Sequence, residues 1–146
     1  MQRPQLSLKG RALRLLSGRE HSRSELERKL AGHEEEPGQL RRVLDDLQAK
    51  GFIDHRRVAE SVIHRRAAKL GAARVRQELQ AKGLEPELVA QAVAGLRATE
   101  FERAQQAWSR KFSEAPADAP QRARHARFLA ARGFDADVIR RVLSGR

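Results

Sequence analysis

Cysteine and tyrosine are absent from this chain of 146 residues, and its aromatics amount to five phenylalanines and one tryptophan. Without thiols there is no disulfide framework and no thiolate nucleophile, and a reducing cytoplasm is the natural compartment. No apolar run approaches the ~20 residues that a membrane helix needs, and no charged n-region followed by an apolar h-region opens the sequence. Strand signals are missing too: nowhere do apolar and polar residues alternate over six positions. The motifs of catalysis are equally absent. His21, His33, His55, His64 and His125 lack the i, i+4 spacing and neighbouring carboxylates of a zinc helix. There is no Gly-x-x-x-x-Gly-Lys phosphate loop and no Gly-x-Ser-x-Gly nucleophile turn. Asp45 and Asp46 are adjacent on one helix, so they point about 100° apart and share neither a metal nor a proton well. No catalytic residue, metal or cofactor is expected, and the chain reads as a binding protein rather than an enzyme.

What the sequence has in excess is positive charge. Thirty Lys and Arg stand against 19 Asp and Glu, a formal net charge of +11. Such an excess points to an anionic partner, nucleic acid first, with an anionic membrane, an acidic protein surface or plain solubility as the other readings. The charge is uneven. Residues 1–54 carry a net +2, residues 55–98 a net +5 and residues 99–146 a net +4, which favours the middle and last thirds for contact with a polyanion.

Ala, Leu, Arg, Glu and Gln dominate, and apolar residues recur at intervals of three and four, as in Leu40, Val43, Leu44 and Leu47. The spacing predicts an all-α protein with helices near 8–17, 23–32, 38–50, 55–70, 72–82, 86–96, 100–113, 120–132 and 136–144. Ser22 and Glu25 fit a capping box. Gly51, Gly83 and Gly133 stand where a left-handed residue ends a helix, Pro86 suits a first turn, and Asp135 an N-cap. The run Glu34-Glu35-Glu36 connects two helices and favours the N-terminus of the second. Residues 113–120, with two prolines and two acids, form the one clear loop within a unit.

The glycines also expose a repeat. Leu47-Gln48-Ala49-Lys50-Gly51-Phe52, Leu79-Gln80-Ala81-Lys82-Gly83-Leu84 and Leu129-Ala130-Ala131-Arg132-Gly133-Phe134 share the pattern Leu-x-Ala-basic-Gly-apolar. Beyond the glycine, Leu88, Val89 and Val93 match Val138, Ile139 and Leu143 at identical offsets. Three tandem three-helix units follow, residues 1–54, 55–98 and 99–146. Each is too small to bury a core alone, so an elongated, curved body of stacked repeats is expected.

Two basic clusters stand out in the second and third units. The first joins Arg65, Arg66 and Lys69, with Arg65 and Lys69 on one helix face, to Arg74 and Arg76, with Lys82 further along. The second joins Arg110 and Lys111 to Arg122, Arg124, Arg127 and Arg132. Acids are sparse around both, and the planar Arg fork suits phosphate. Phe52, Phe128, Phe134 and Trp108 fall on apolar faces and read as core, so no stacking platform for bases is expected. Contacts to nucleic acid should be to the backbone and weakly sequence-specific.

Longer patterns carry a resemblance. Ala12-Leu13-x-x-Leu16 followed by Ser22-x-x-Glu25-Leu26-x-x-Lys29-Leu30 resembles the opening of the RecX family. So do Leu44-x-x-Leu47-x-x-x-Gly51-Phe52-Ile53-Asp54 and Gly71-x-x-Arg74-Val75-x-x-Glu78-Leu79-x-x-Lys82-Gly83-Leu84. Arg110-Lys111-Phe112 and Phe128-Leu129-x-x-Arg132-Gly133-Phe134 complete the series, over nearly the whole chain and in family order. His55, Val58 and Ser113 depart from it, standing where an acid, an aromatic and a glycine are usual. The resemblance implies a cytoplasmic modulator that binds RecA and its filament on single-stranded DNA and inhibits strand exchange, ATP hydrolysis and co-protease activity. The basic sets of units two and three would then contact the filament and its single-stranded DNA, with duplex DNA as a further backbone partner, while the more neutral first unit supplies protein–protein surface. With no apolar stripe left over, a monomer is expected. The rival reading is a helix-turn-helix regulator unrelated to RecA, with Gln39, Arg41, Arg42 and Gln48 offered to base edges beside the unfavourable Asp45 and Asp46. A ribosome- or RNA-associated basic protein is a third class.

Overall fold

The structure, a computed structural model, describes residues 6–145. Among the described residues every regular element is helical. They are α1 (Leu8–Gly18), α2 (Arg23–Leu30), a 3-10 turn at Ala31–His33, α3 (Gln39–Ala49), α4 (His55–Arg66), α5 (Ala72–Ala81), α6 (Pro86–Arg97), α7 (Glu100–Lys111), α8 (Ala119–Ala131) and α9 (Ala136–Leu143). The chain is all-α, as its periodicity predicts.

Local chemistry sets most of the ends. The Ser22 side chain accepts the Glu25 N–H while the Glu25 carboxylate accepts the Ser22 N–H, completing the capping box that opens α2. Glu34 reaches forward to the Leu40 N–H at 2.7 Å, so the acidic connection does serve the N-terminus of α3. Asp135 caps α9, and Pro86 occupies the first turn of α6. The proline-rich loop ends sooner than expected. Asp118 accepts the Gln121 N–H, and Ala119 and Pro120 already belong to the first turn of α8.

Close packing divides the chain into two compact units, one reaching Val58 and taking in Lys82–Leu84, the other built from Ala59–Ala81 and the residues from Glu85 on. The first unit buries Leu26 and Leu30 of α2 against Leu40, Leu44 and Leu47 of α3, with Leu8 and Ala12 of α1 and Ile53 closing the cluster. In the second, α5 packs on α6, where Val75, Leu79, Val89 and Val93 are buried. There too α7, α8 and α9 enclose Ala104, Ala107, Leu129, Phe134, Ile139, Val142 and Leu143. Phe52 departs from its expected place in the core. It sits just past the end of α3 and is 48% exposed.

A junction inside the second unit fixes where its helices start and stop. The Gly71 N–H donates to the Arg132 carbonyl at 2.7 Å, and a Cβ on Gly71 would lie 2.2 Å from the Gly133 carbonyl oxygen. Gly133 itself holds φ +86°, where only glycine is comfortable, and faces the Arg74 backbone. Beside this contact the buried Glu100 carboxylate accepts the Ala72 N–H at 2.9 Å. The buried guanidinium of Arg103 donates to the carbonyls of Ala67, Leu70 and Leu96 and to the Thr99 hydroxyl. These bonds explain why α4 stops at Arg66 rather than running on to 70. The carbonyls of 67 and 70 turn toward Arg103, and Lys69 N–H bonds back only three residues, to Arg66. Lys69 therefore lies in a turn, not on the helix face that carries Arg65.

Substituting Gly71→Ala should lower unfolding free energy by about 2–3 kcal/mol, since the clash is with backbone that cannot step aside. Gly95→Ala, in α6 with open space around it, should raise it by ~0.5–1 kcal/mol through helix propensity. Denaturant titration of the two variants against the parent checks both signs.

Candidate nucleic-acid interface

The structure separates the basic residues into those already committed to internal partners and those that are not. Lys82 is committed. Its ammonium lies 3.1 Å from Glu25, which also takes Arg19 at 2.6 Å, all within the first unit. Burial by itself would raise the Glu25 pKa, but hydrogen bonds from Arg19, the Ser22 N–H and Lys82 outweigh it and hold the carboxyl at about 2. Arg66 is committed as well, with Nε and Nη2 both on one oxygen of Glu78, at 3.1 and 2.7 Å. Arg122 reaches back to the Leu143 carbonyl at 3.4 Å, and Arg124 stands over the Phe112 ring.

Four of the remaining cations come together. Lys69, from the turn after α4, Arg110 and Lys111, from the last turn of α7, and Arg132, at the end of α8, line one cavity of about 250 Å³ with Ala107 and Phe128. No carboxylate is among the lining residues. Sequence spacing brings Phe128 and Arg132 to one face of α8 as an i, i+4 pair, and the Arg132 guanidinium carbon rests 3.7 Å from the centre of the Phe128 ring. Lys111 approaches the same ring at 5.9 Å. Phe128 is half-buried: it packs against the core of this unit, as expected, and it also lines the cationic cavity. The sequence reading missed this, although the four-residue spacing was present.

Arg65, Arg74, Arg76 and Arg127 are exposed. Arg76 lines a separate cavity of about 450 Å³ together with Arg97, which composition did not single out, but Glu100 and Asp135 line it too and moderate its charge. Of the twelve predicted residues, four converge on one cavity, Arg66 and Lys82 are ion-paired, and Arg65, Arg74, Arg76 and Arg127 are exposed.

Next to Phe128, ring contacts join α7 to α8. The His125 ring stacks on Phe112 with centroids 3.6 Å apart, and Phe112 meets Phe128 edge-on at 5.4 Å. The Trp108 indole N–H donates to His125 Nδ1 at 3.0 Å. Since the indole only donates, Nδ1 must accept and the proton sits on Nε2. Burial lowers the His125 pKa, and Arg124 lowers it further. His21 in the first unit, buried between the Arg19 carbonyl and the Lys29 ammonium, is also pushed down, chiefly by burial.

On the α3 surface that a helix-turn-helix reading would place against bases, Arg41 and Arg42 are exposed, but the acids and Gln48 are engaged. Arg23 takes Asp45 at 2.7 Å and the Gln48 side-chain oxygen at 3.0 Å, and Lys50 takes Asp46 at 3.1 Å.

Acidification should weaken the fold in two steps. A histidine whose pKa is lowered by folding stabilises above its ordinary 6.5, and that contribution is lost as pH falls below it. Glu25 stabilises above its ordinary 4.5, and this is lost on the way down to about 2. Denaturant midpoints across pH 3–8 should show both steps, with the upper one shallower in His125→Gln and the lower one removed in Glu25→Gln.

Comparison with known proteins gives a consistent picture. Models of the first, second and third three-helix domains of RecX match residues 9–52, 54–93 and 98–143. The regulatory protein RecX of Leptothrix cholodnii is 55% identical over 141 residues, covering 97% of this chain and 90% of that protein. That of Ralstonia nicotianae is 46% identical over 143 residues, covering 98% and 90%. Among solved structures, the crystal structure of RecX from Lactobacillus salivarius matches with a TM-score of 0.78 at 18% identity, over 94% of this chain and 93% of that one. A second crystal structure of regulatory protein RecX matches with a TM-score of 0.81 at 19% identity, over 94% of this chain and 71% of that one. The solved structures establish the shared helical fold; the identity to the named relatives and the ordered domain matches establish that the chain belongs to the RecX family of regulatory proteins.

Proposed function

We propose that this protein is a cytoplasmic, monomeric regulator that binds RecA and its filament on single-stranded DNA and inhibits the recombinase, ATPase and co-protease activities. The observation that carries the reading is the ordered series of three RecX domains from residue 9 to residue 143. A three-unit division at 54 and 98 is part of the same proposal. The cluster of Lys69, Arg110, Lys111 and Arg132, with no carboxylate on its cavity wall, supports direct contact with phosphate. Arg65, Arg74, Arg76 and Arg127 add exposed charge in the same unit, and they act through screening-sensitive attraction rather than fixed geometry. Lys82 and Arg66, held by Glu25 and Glu78, contribute to stability before they contribute to binding. Duplex DNA would meet the same cations, through its backbone. The helix-turn-helix alternative is less favoured because Arg23 occupies the side chains of Asp45 and Gln48 on α3.

The test is RecA's ATP hydrolysis on single-stranded DNA with this protein titrated in, at and well below the RecA concentration. Loss of hydrolysis at substoichiometric protein is the expected result, and unchanged hydrolysis at equimolar protein would sink the proposal. Direct binding of single strands should weaken with salt along a log–log slope of roughly −4, for about six phosphates contacted. The double variant Arg110→Gln/Lys111→Gln should flatten that slope by about 1–1.5, whereas Lys82→Gln should lower the unfolding midpoint and leave the slope nearly unchanged.

A further inference from the structure

We propose that the cavity walled by Phe128 and Arg132 is a nucleobase subsite, taking one unstacked base of single-stranded DNA while Lys69, Arg110 and Lys111 hold the phosphates that flank it. This rests on the nucleic-acid contact proposed above and adds base recognition to it.

Three features point to a base rather than to phosphate alone. The first is the wall. A free phosphate needs converging N–H donors, but between the cationic ends this cavity is lined with hydrocarbon: the Ala107 methyl, the Phe128 ring and the stems of the long basic side chains. The second is the Arg132–Phe128 pair. A guanidinium carbon 3.7 Å from a ring centre is in face contact, which holds the planar cation against the half-buried Phe128 ring and makes its outward face the surface a base would meet. Guanidinium and aromatic planes are the two surfaces on which unstacked bases settle. Only the Phe128 carbonyl, at 3.4 Å, accepts from Arg132 within the described residues, so its outward face and most of its donors stay available. The third is size. About 250 Å³ falls below the ~300 Å³ at which ordinary small-molecule sites begin. There is room for one planar heterocycle and not for a dinucleotide.

The floor is also rigid. Phe128 is braced edge-on by Phe112, which is buried and stacked on His125, and His125 is fixed by Trp108. A platform held this way loses little freedom when a base lands on it. Bases inside a duplex are stacked on their neighbours and cannot enter, so the site selects single strands without reading sequence strongly.

The experiment compares binding of an oligothymidylate with that of an oligonucleotide of the same length whose central residues are abasic, both at one low salt concentration, by fluorescence anisotropy. The intact protein should bind the oligothymidylate about fivefold to tenfold more tightly. Phe128→Leu should lose that preference while keeping the salt slope, with Trp108 emission reporting an intact fold. Arg132→Lys keeps the charge and removes the plane, and should lose the preference as well even if the leucine variant is poorly folded. Equal affinity of the intact protein for both strands, with a normal salt slope, would overturn the base subsite and leave the phosphate contact standing. A preference that persists in Arg132→Lys would also overturn it. Failure to bind either strand at low salt would overturn both readings.

Discussion

The close approach of Gly71 to Gly133 governs the second unit. A side chain at 71 would overlap the Gly133 carbonyl, so the start of α5 and the end of α8 touch through backbone alone, joined by the bond from Gly71 N–H to Arg132 carbonyl. Such a contact leaves backbone groups nearby short of water, and polar side chains supply their partners. Glu100 satisfies the first amide of α5, and Arg103 takes the carbonyls of 67, 70 and 96. A buried carbonyl without a donor costs roughly 1–3 kcal/mol. The Leu96 carbonyl also accepts from Thr99, but among the described residues the carbonyls of 67 and 70 have Arg103 as their donor, and losing both would remove a sizeable part of the ~5–15 kcal/mol by which a domain is usually stable. A buried arginine, which looks expensive in isolation, is thus what allows the turn at 67–70 to exist.

That turn has a functional consequence. It ends α4 early and swings Lys69 off the helix that carries Arg65, toward the end of α7. Arg132 takes part in the same junction through its carbonyl, while its side chain lies on Phe128. The backbone contact and the cationic cavity therefore share residues, and the geometry of one sets the geometry of the other.

Net charge alone is a poor guide to which cations can meet a partner. Arg103 carries the same formal charge as any other arginine, yet it is buried and its Nε, Nη1 and Nη2 all have internal acceptors. Arg66, in the dense basic run from 65 to 76, and Lys82, beyond it, are both held by acids distant in sequence, Glu78 and Glu25. Lys69, Arg110, Lys111 and Arg132 remain because no carboxylate is brought to them. Their mutual repulsion is screened by water, and an arriving polyanion would relieve it.

Approximate helix limits and caps were legible in the sequence because each depends on residues within about one turn of one another, and the family resemblance was legible because it rests on the order of motifs along the chain. The Ser22–Glu25 box, the N-cap at Asp135 and the glycine at the end of α8 are examples, set by local hydrogen bonding and backbone sterics. The positive charge and its bias toward the middle and last thirds were legible for the same reason, since composition needs no geometry. Tertiary structure alone decided which charges are spent and which are gathered. Glu25 and Lys82 are 57 residues apart, and Arg103 finds two of its three carbonyls more than 30 residues away. Such pairings come from how helices pack, not from spacing along the chain. Phe128 shows the division most clearly. Its period placed it on an apolar face, which is correct, but only the packing of α7 against α8 left that face half open beneath four cations.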